Sequence, residues 1–329
     1  MTALAPTLEA FFTDRLAHQR RASPNTVASY RDSFRLLLGY LQQHTGKAPS
    51  RLELEDLDTG TITAFLASLE RDRGSSVRTR NARLAALRSF FSFAALRHPE
   101  HAWLIQRVLA IPLQRATKGI VSFLTGTEVE ALLASPDRSS ESGRRDHALL
   151  LLAVQTGLRV SELTHLRCVD VELGRGPHVR TLGKGRKERA TPLLPETVKV
   201  LASWIREREG QPSEPLFPGR GGGTLSPDAV QRMVAKHAAR AGERCPTLRG
   251  KRVTPHVLRH SAAMALLSGG VDQSVIALWL GHERLETTDL YVHADLALKE
   301  RALARTAPPQ VGAHRYRAPD SLLAFLKAL

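Results

Sequence analysis

The stretch Thr254-Pro255-His256-Val257-Leu258-Arg259-His260, followed by Leu280-Gly281-His282 and then by Tyr291, gathers imidazoles, a guanidinium and a phenol into one basic segment. Upstream, Thr156-Gly157-Leu158-Arg159-Val160-Ser161-Glu162-Leu163 adds a second arginine. Gly183-Lys184-Gly185-Arg186-Lys187-Glu188-Arg189 adds a lysine in a glycine-flanked turn. These are the parts needed to cut a phosphodiester without a metal. Two guanidiniums can each fork onto the non-bridging oxygens of one phosphate and stabilise the added charge of a pentavalent transition state. Lysine would replace neither well. His256 and Arg259 stand three apart at a helix start, so they share a face, and Pro255 suits the first turn. A phenol with an ordinary pKa of about 10 needs help to attack at neutral pH, and His256 is a candidate to accept its proton. Taken singly, each feature has a plain structural explanation. A His-x-x-Arg pair is commonly a packing or surface feature, a tyrosine between apolar neighbours is commonly a core residue, and Glu162 can cap a helix or steer an arginine. The grouping favours chemistry.

The elements that must position these residues are mostly helical. From Thr7 to about Ala110 apolar residues recur at helical spacing, as in Tyr30, Phe34, Leu37, Leu38 and Leu41, then Leu84, Leu87, Phe90 and Phe91. Breaks fall at Ser23 to Thr26, Gly46 to Ser50 and Gly74 to Ser76, with Asn25 or Thr26 expected to cap the second helix and Ser75 or Ser76 the fourth. Arg78, Arg80, Arg83 and Arg88 lie on that fourth helix opposite an apolar stripe, a face that can rest on phosphates or simply be solvated. Residues 111–122 read as a connector. Thr125 or Thr127 then opens a helix through Leu133, and His147 to Gln155 forms an apolar one ending at Gly157, with Ser161 a plausible cap for the next. Val179 to Leu182 and Arg189 to Leu194 suggest a hairpin with Lys184 at its tip. Further helices are expected at Glu196–Arg208, Asp228–Ala241, Pro255–Ser268, Ser274–Leu280 and Ala294–Arg305, with a short amphipathic segment near the end.

Lys plus Arg number 47 against 32 Asp plus Glu, a net charge of +15 that favours a polyanionic partner. Basic residues exceed acidic ones on both sides of Ala110, so no detachable tail explains the excess. Only Cys168 and Cys245 are present, without ligand spacing, which argues against a disulfide framework and a structural zinc site. No leader pattern and no apolar run approaching about 18 residues occur, so the chain reads as soluble and cytoplasmic, without a membrane partner. Gly219 to Gly223 lacks the trailing Gly-Lys-Ser/Thr of a phosphate loop, His282-Glu283 lacks the second histidine of a metalloprotease, and no carboxylate cluster suggests a two-metal nuclease.

Arg159, Lys184, His256, Arg259, His282 and Tyr291, in the motifs quoted, resemble the tyrosine recombinase (phage integrase) family. The pattern Thr26 to Tyr30 and Arg83 to Phe91 is similar to its core-binding domain. The resemblance implies a mainly α fold with a small antiparallel β-sheet: a helical DNA-binding domain (1–110), a linker (111–122), a catalytic domain (123–306) and a tail (307–329) with a helix at Leu322 to Leu326. The two domains would close as a clamp around duplex DNA. In the family the tyrosine attacks the scissile phosphate, giving a 3'-phosphotyrosyl link and a free 5'-hydroxyl that later attacks a partner strand. Neither ATP nor a metal is required, so no cofactor is expected. Carried over, Tyr291 is the nucleophile, Arg159 and Arg259 clamp the phosphate, Lys184 donates a proton to the leaving oxygen, His282 adds a hydrogen bond and His256 handles the nucleophile's proton. Lys187 is the rival of Lys184. Arg186, Lys187 and Arg189 are expected on backbone phosphates, and His260 and His293 in structural roles. Family members act as tetramers on two DNA sites through a Holliday junction, some with a partner recombinase, in integration, excision or transposition. The segment Ile276 to His282 with Ala297 to Arg305 looks more like integrases of mobile elements than the Xer housekeeping type. The C-terminal helix would dock on a neighbouring subunit or fold back on its own domain. The alternatives are a type IB topoisomerase-like activity and a non-catalytic DNA-binding protein on the same fold.

Overall fold

The computed structural model describes residues 2–116, 121–183 and 188–281, and the chain divides into two compact units between Lys118 and Gly119. In the first, α1 (Leu4–Ala10) runs on as a π-helical stretch, Phe11–Gln19, and is followed by α2 (Pro24–Thr45), α3 (Thr59–Arg73), α4 (Val77–Ala94) and α5 (Ala102–Leu109). Ser23, rather than Asn25 or Thr26, caps α2. Its hydroxyl accepts the Thr26 amide at 3.2 Å and Pro24 occupies the first turn, where a missing N–H costs nothing. Ser76 caps α4 in the same way. The periodic apolar residues converge on an aromatic centre in which Phe11 and Phe34 both meet Phe90 edge to face, with centroids 5.6 and 5.3 Å away.

The second unit contains α6 (Gly126–Leu133), α7 (Glu141–Thr156), α8 (Val160–His165), β1 (Val171–Glu172), β2 (His178–Leu182), β3 (Glu188–Pro192), α9 (Pro195–Glu207), α10 (Pro227–Arg244), α11 (Pro255–Ser268) and α12 (Gln273–Leu280). The strands form one antiparallel sheet in the order β1-β2-β3. Val179 pairs with Thr191, both buried, and Leu182 with Glu188 closes the hairpin, so residues 183–187 connect β2 to β3. The chain therefore has the mainly helical fold with a small antiparallel sheet that its motifs suggest. The turn residues 184–187, the helix expected at Ala294–Arg305 and the tail segment lie outside the described residues. Among the described residues no helix is long and apolar enough to cross a membrane.

Helix α7 begins two turns before its apolar run because Ser140 caps it through the Gly143 amide. Its polar first half is spent on neighbours. Arg144 forks onto Glu207 of α9, and Asp146 accepts from Arg145 at 2.7 Å and meets His237 of α10 at 3.0 Å. The segment entering α6 is fixed to the end of the domain that carries α11. The Leu124 amide donates to Ser261, and Lys251 donates to the Phe123 carbonyl and to Glu128, the carboxylate of the α6 capping box.

Two stability outcomes follow from α7. An added Cβ at Gly143 would run into the Asp137 carbonyl, so Gly143→Ala should cost about 1–3 kcal/mol in urea unfolding of the second unit. Burial pushes the Asp146 carboxyl upward, but the hydrogen bonds from His237 and Arg145 outweigh it and hold the group below its ordinary value of 3.8. Its stabilisation is thus fully present above that value and lost as pH falls through the lowered one. Asp146→Asn should lose about 2–3 kcal/mol at neutral pH. In paired thermal melts the gap from wild type should narrow toward pH 2.

Candidate active site

The connector between α7 and α8 is where the site begins. Thr156 ends α7, and Gly157 turns the chain out of it at φ +64°, a conformation that suits glycine. A side chain here would also strike Leu280 and Ala262. Arg159 then occupies the N-cap position of α8, and Glu162 reaches back to its amide at 2.7 Å. Ser161 lies inside the helix, so the cap is supplied by Glu162 three residues on. At the other side of the site, Thr254 caps α11 through the Val257 amide, Pro255 fills the first turn, and Arg259 projects from the second.

The two arginines meet at one place. Arg259, only 4% exposed, donates to the Gly157 carbonyl and to the Leu280 carbonyl, each at 2.7 Å. Arg159 donates to the next carbonyl, that of Gly281, at 2.8 Å. These acceptors are the terminal carbonyls of α7 and α12, which have no partner inside their own helices and carry the negative end of the helix dipole. Trp279 adds a bond from its indole N–H to the Thr156 carbonyl at 3.1 Å, fastening the same two helix ends together. Residues 157, 159, 259 and 280–281 thus form one junction, and the chain passes from it directly into His282.

Glu162 is the shared carboxylate. One oxygen accepts from Arg159 at 3.0 Å and from Arg189 at 3.2 Å, and the other accepts from Arg189 at 2.8 Å. Burial pushes the Glu162 carboxyl up, but the Arg159 amide and the two guanidiniums together hold it below the usual carboxylate range. It is therefore an ionised carboxylate at neutral pH. Arg159 keeps about a third of its side chain in solvent, at 36% exposure. His256 is exposed one turn ahead of Arg259, and its ring meets that of His260 edge to face with centroids 4.1 Å apart. Lys184, His282 and Tyr291 lie outside the described residues, as do Arg186, Lys187 and His293.

The arginines on α4 have different surroundings from those expected of a phosphate-facing stripe. Arg78 is exposed, but Arg80 is buried, with Nη1 donating to the Pro112 carbonyl at 3.2 Å. Arg83 donates to the Ser29 carbonyl and Ser33 hydroxyl, and Arg88 to the carbonyls of Leu109 and Ile111. Three of the four therefore hold their own domain together, because α4 is central to the bundle and its polar edge faces chain ends that need donors. Arg189 is likewise drawn inward, 13% exposed against Glu162. A different basic face had no place in the sequence reading. Arg232, Lys236 and Arg240 recur every four residues on α10, all exposed, opposite the buried Val230, Val234, His237 and Ala238. The signal was present as an i, i+4, i+8 spacing within an amphipathic helix.

Both units of the chain have counterparts in known proteins. Residues 122–297 match the phage integrase family, and residues 10–98 match the phage integrase N-terminal SAM-like domain. The chain is 54% identical to the putative integrase/recombinase y4rC of Sinorhizobium fredii, covering 99% of this chain and 98% of the relative. It is 34% identical to the tyrosine recombinase XerD of Pseudomonas putida, over 94% of this chain and 99% of that one. A crystal structure of the XerH site-specific recombinase bound to a palindromic difH substrate, in a post-cleavage complex, superposes with a TM-score of 0.68 at 25% identity, covering 87% of this chain and 81% of that one. With both of its units matched and its two arginines gathered at one junction, the chain belongs to the tyrosine recombinase (phage integrase) family and is a site-specific recombinase.

Proposed function

We propose that this recombinase cuts and rejoins duplex DNA in the cytoplasm through a covalent 3'-phosphotyrosyl intermediate on Tyr291, and exchanges strands through a Holliday junction as a tetramer on two sites. The observation that carries the reading is the convergence of Arg159 and Arg259 on the consecutive carbonyls of Gly281 and Leu280. Donating to these carbonyls, the guanidiniums bring positive charge to one spot at the end of α12, and a scissile phosphate there gains charge-assisted hydrogen bonds as its own charge grows. Tyr291 attacks phosphorus, its proton passing to His256, while the 5'-oxygen leaves with a proton from Lys184. His282 donates a hydrogen bond to a non-bridging oxygen. The 5'-hydroxyl of the partner strand reverses these steps, so the phosphodiester bond is conserved and no energy source is consumed. A work on mobile DNA, by integration, excision or transposition, fits the relatives named as integrases and recombinases.

The basic face of α10 is assigned to DNA phosphates on the same reading, as are Arg78, Arg186 and Lys187.

A pool of nicked duplexes with randomised half-sites, incubated with the protein and sampled under denaturing conditions, should yield a covalent protein–DNA adduct with wild type and none with Tyr291→Phe. Arg259→Lys should lower adduct formation by about 10²–10³-fold, because an ammonium cannot reproduce the fork. Adduct from Tyr291→Phe at the wild-type level would overturn the assignment of the nucleophile. Replacing Arg232, Lys236 and Arg240 together by alanine should flatten the slope of log affinity against log salt by about 2–3, since each lost phosphate contact removes about 0.9. An unchanged slope would move the DNA away from α10.

A further inference from the structure

We infer that Arg189 is a positioning residue of the cleavage reaction: from β3 it holds Glu162, and through Glu162 it sets the direction of the Arg159 guanidinium. The inference rests on the phosphotyrosyl reading above. The sequence places Arg189 among residues that would touch DNA phosphates, yet both of its terminal nitrogens donate to Glu162, at 3.2 and 2.8 Å. The same carboxylate takes the Arg159 amide and one Arg159 Nη, so its two oxygens are divided between a strand arginine and a site arginine.

Three further features make this more than a passing ion pair. Arg189 is 13% exposed and Glu162 5%, so the pair is shielded from the screening that makes surface bridges weak. The Arg189 Nε is buried with no hydrogen-bond partner among the described residues. The guanidinium's hold on Glu162 therefore rests on its two terminal nitrogens. Finally, Arg189 Nη1 lies against the α-carbon of Gly281, where any Cβ would collide with it. Gly281 is the residue whose carbonyl receives Arg159. Arg189 therefore braces both ends of the Arg159 guanidinium: the carboxylate on one side and the carbonyl-bearing glycine on the other.

Without Arg189, Glu162 would keep only Arg159 as its cationic partner within this trio and would draw that guanidinium toward itself, away from the phosphate. The defect should therefore resemble a weakened Arg159 clamp, and it should matter less when the phosphate carries less charge. The test uses the full-length protein and a nicked duplex recovered from the randomised pool, made with either an ordinary scissile phosphate or a methylphosphonate, in which a methyl group replaces one charged oxygen. Arg189→Met and Arg189→Lys should form adduct about 10–100-fold more slowly than wild type on the phosphate, as expected for loss of part of one clamp. On the methylphosphonate the deficit should shrink to about threefold or less. Arg159→Ala serves as the reference for that pattern. The ratio between the two substrates is measured within one preparation, so the fraction of folded protein cancels. An equal deficit on both substrates would assign Arg189 a purely structural role and overturn the inference, as would wild-type rates on the phosphate. Loss of adduct from wild type itself would instead remove the phosphotyrosyl reading on which it rests.

Discussion

Two helices of the catalytic unit end against one another, and their last carbonyls accept hydrogen bonds from arginines. The acceptors on Gly157, Leu280 and Gly281 are the negative ends of α7 and α12, and Arg259 and Arg159 are the donors. Burying a guanidinium is costly unless its N–H groups are occupied, and here the carbonyls occupy several of them. The anchoring depends on backbone shape. Gly157 and Gly281 both adopt positive φ, which turns the chain sharply at each helix end and brings the terminal carbonyls to the guanidiniums. Ala262 and Leu280 then close over Gly157 so tightly that no side chain fits there.

Among the described residues one carboxylate serves two guanidiniums. Glu162 is the shared partner of Arg159 and Arg189, and both hold its pKa down, so it is ionised and that trio retains an excess positive charge at neutral pH. Had Arg159 and Arg189 each its own carboxylate, those pairs would be neutral and no excess charge would remain among them. Sharing one carboxylate fixes Arg159 in direction while leaving charge to spend. The planar fork is essential to this economy, because only a guanidinium can hold a carboxylate on one edge and a carbonyl on another.

Much of this was legible in the chain. The helical periods from Tyr30 to Leu41 and from Leu84 to Phe91, the hairpin flanking residues 183–187, and the helix Pro255–Ser268 follow from spacing and capping chemistry. Glu162, three residues after Arg159, is readable as a cap, and it is one. What spacing does not reveal is long-range pairing. Arg189 is separated from Glu162 by 27 positions and Gly281 from Arg159 by 122, so neither partnership has a local signature. The early start of α7 was hidden for a related reason: its first turns are polar because they bind α9 and α10, and a hydrophobic period cannot register residues that pack through ion pairs.

Net charge misleads in a similar way. A surplus of +15 identifies the kind of partner, yet it does not locate the surface, because arginine is also the residue best suited to satisfying clustered carbonyls. Arg80, Arg83 and Arg88 stand on α4 with the spacing of a phosphate-binding face and are used instead to tie α4 to α2 and to the chain after α5. Arg144 and Arg145 of α7 are likewise committed to Glu207 and Asp146. On α10 the arrangement is reversed: the buried stripe is complete without the cations, and Arg232, Lys236 and Arg240 project from the far side. A basic helix face contributes to polyanion binding only when the packing on its other side makes no demand on those same side chains. By that criterion the charge on α10 is left at the surface, whereas much of the charge on α4 is consumed in building the domain.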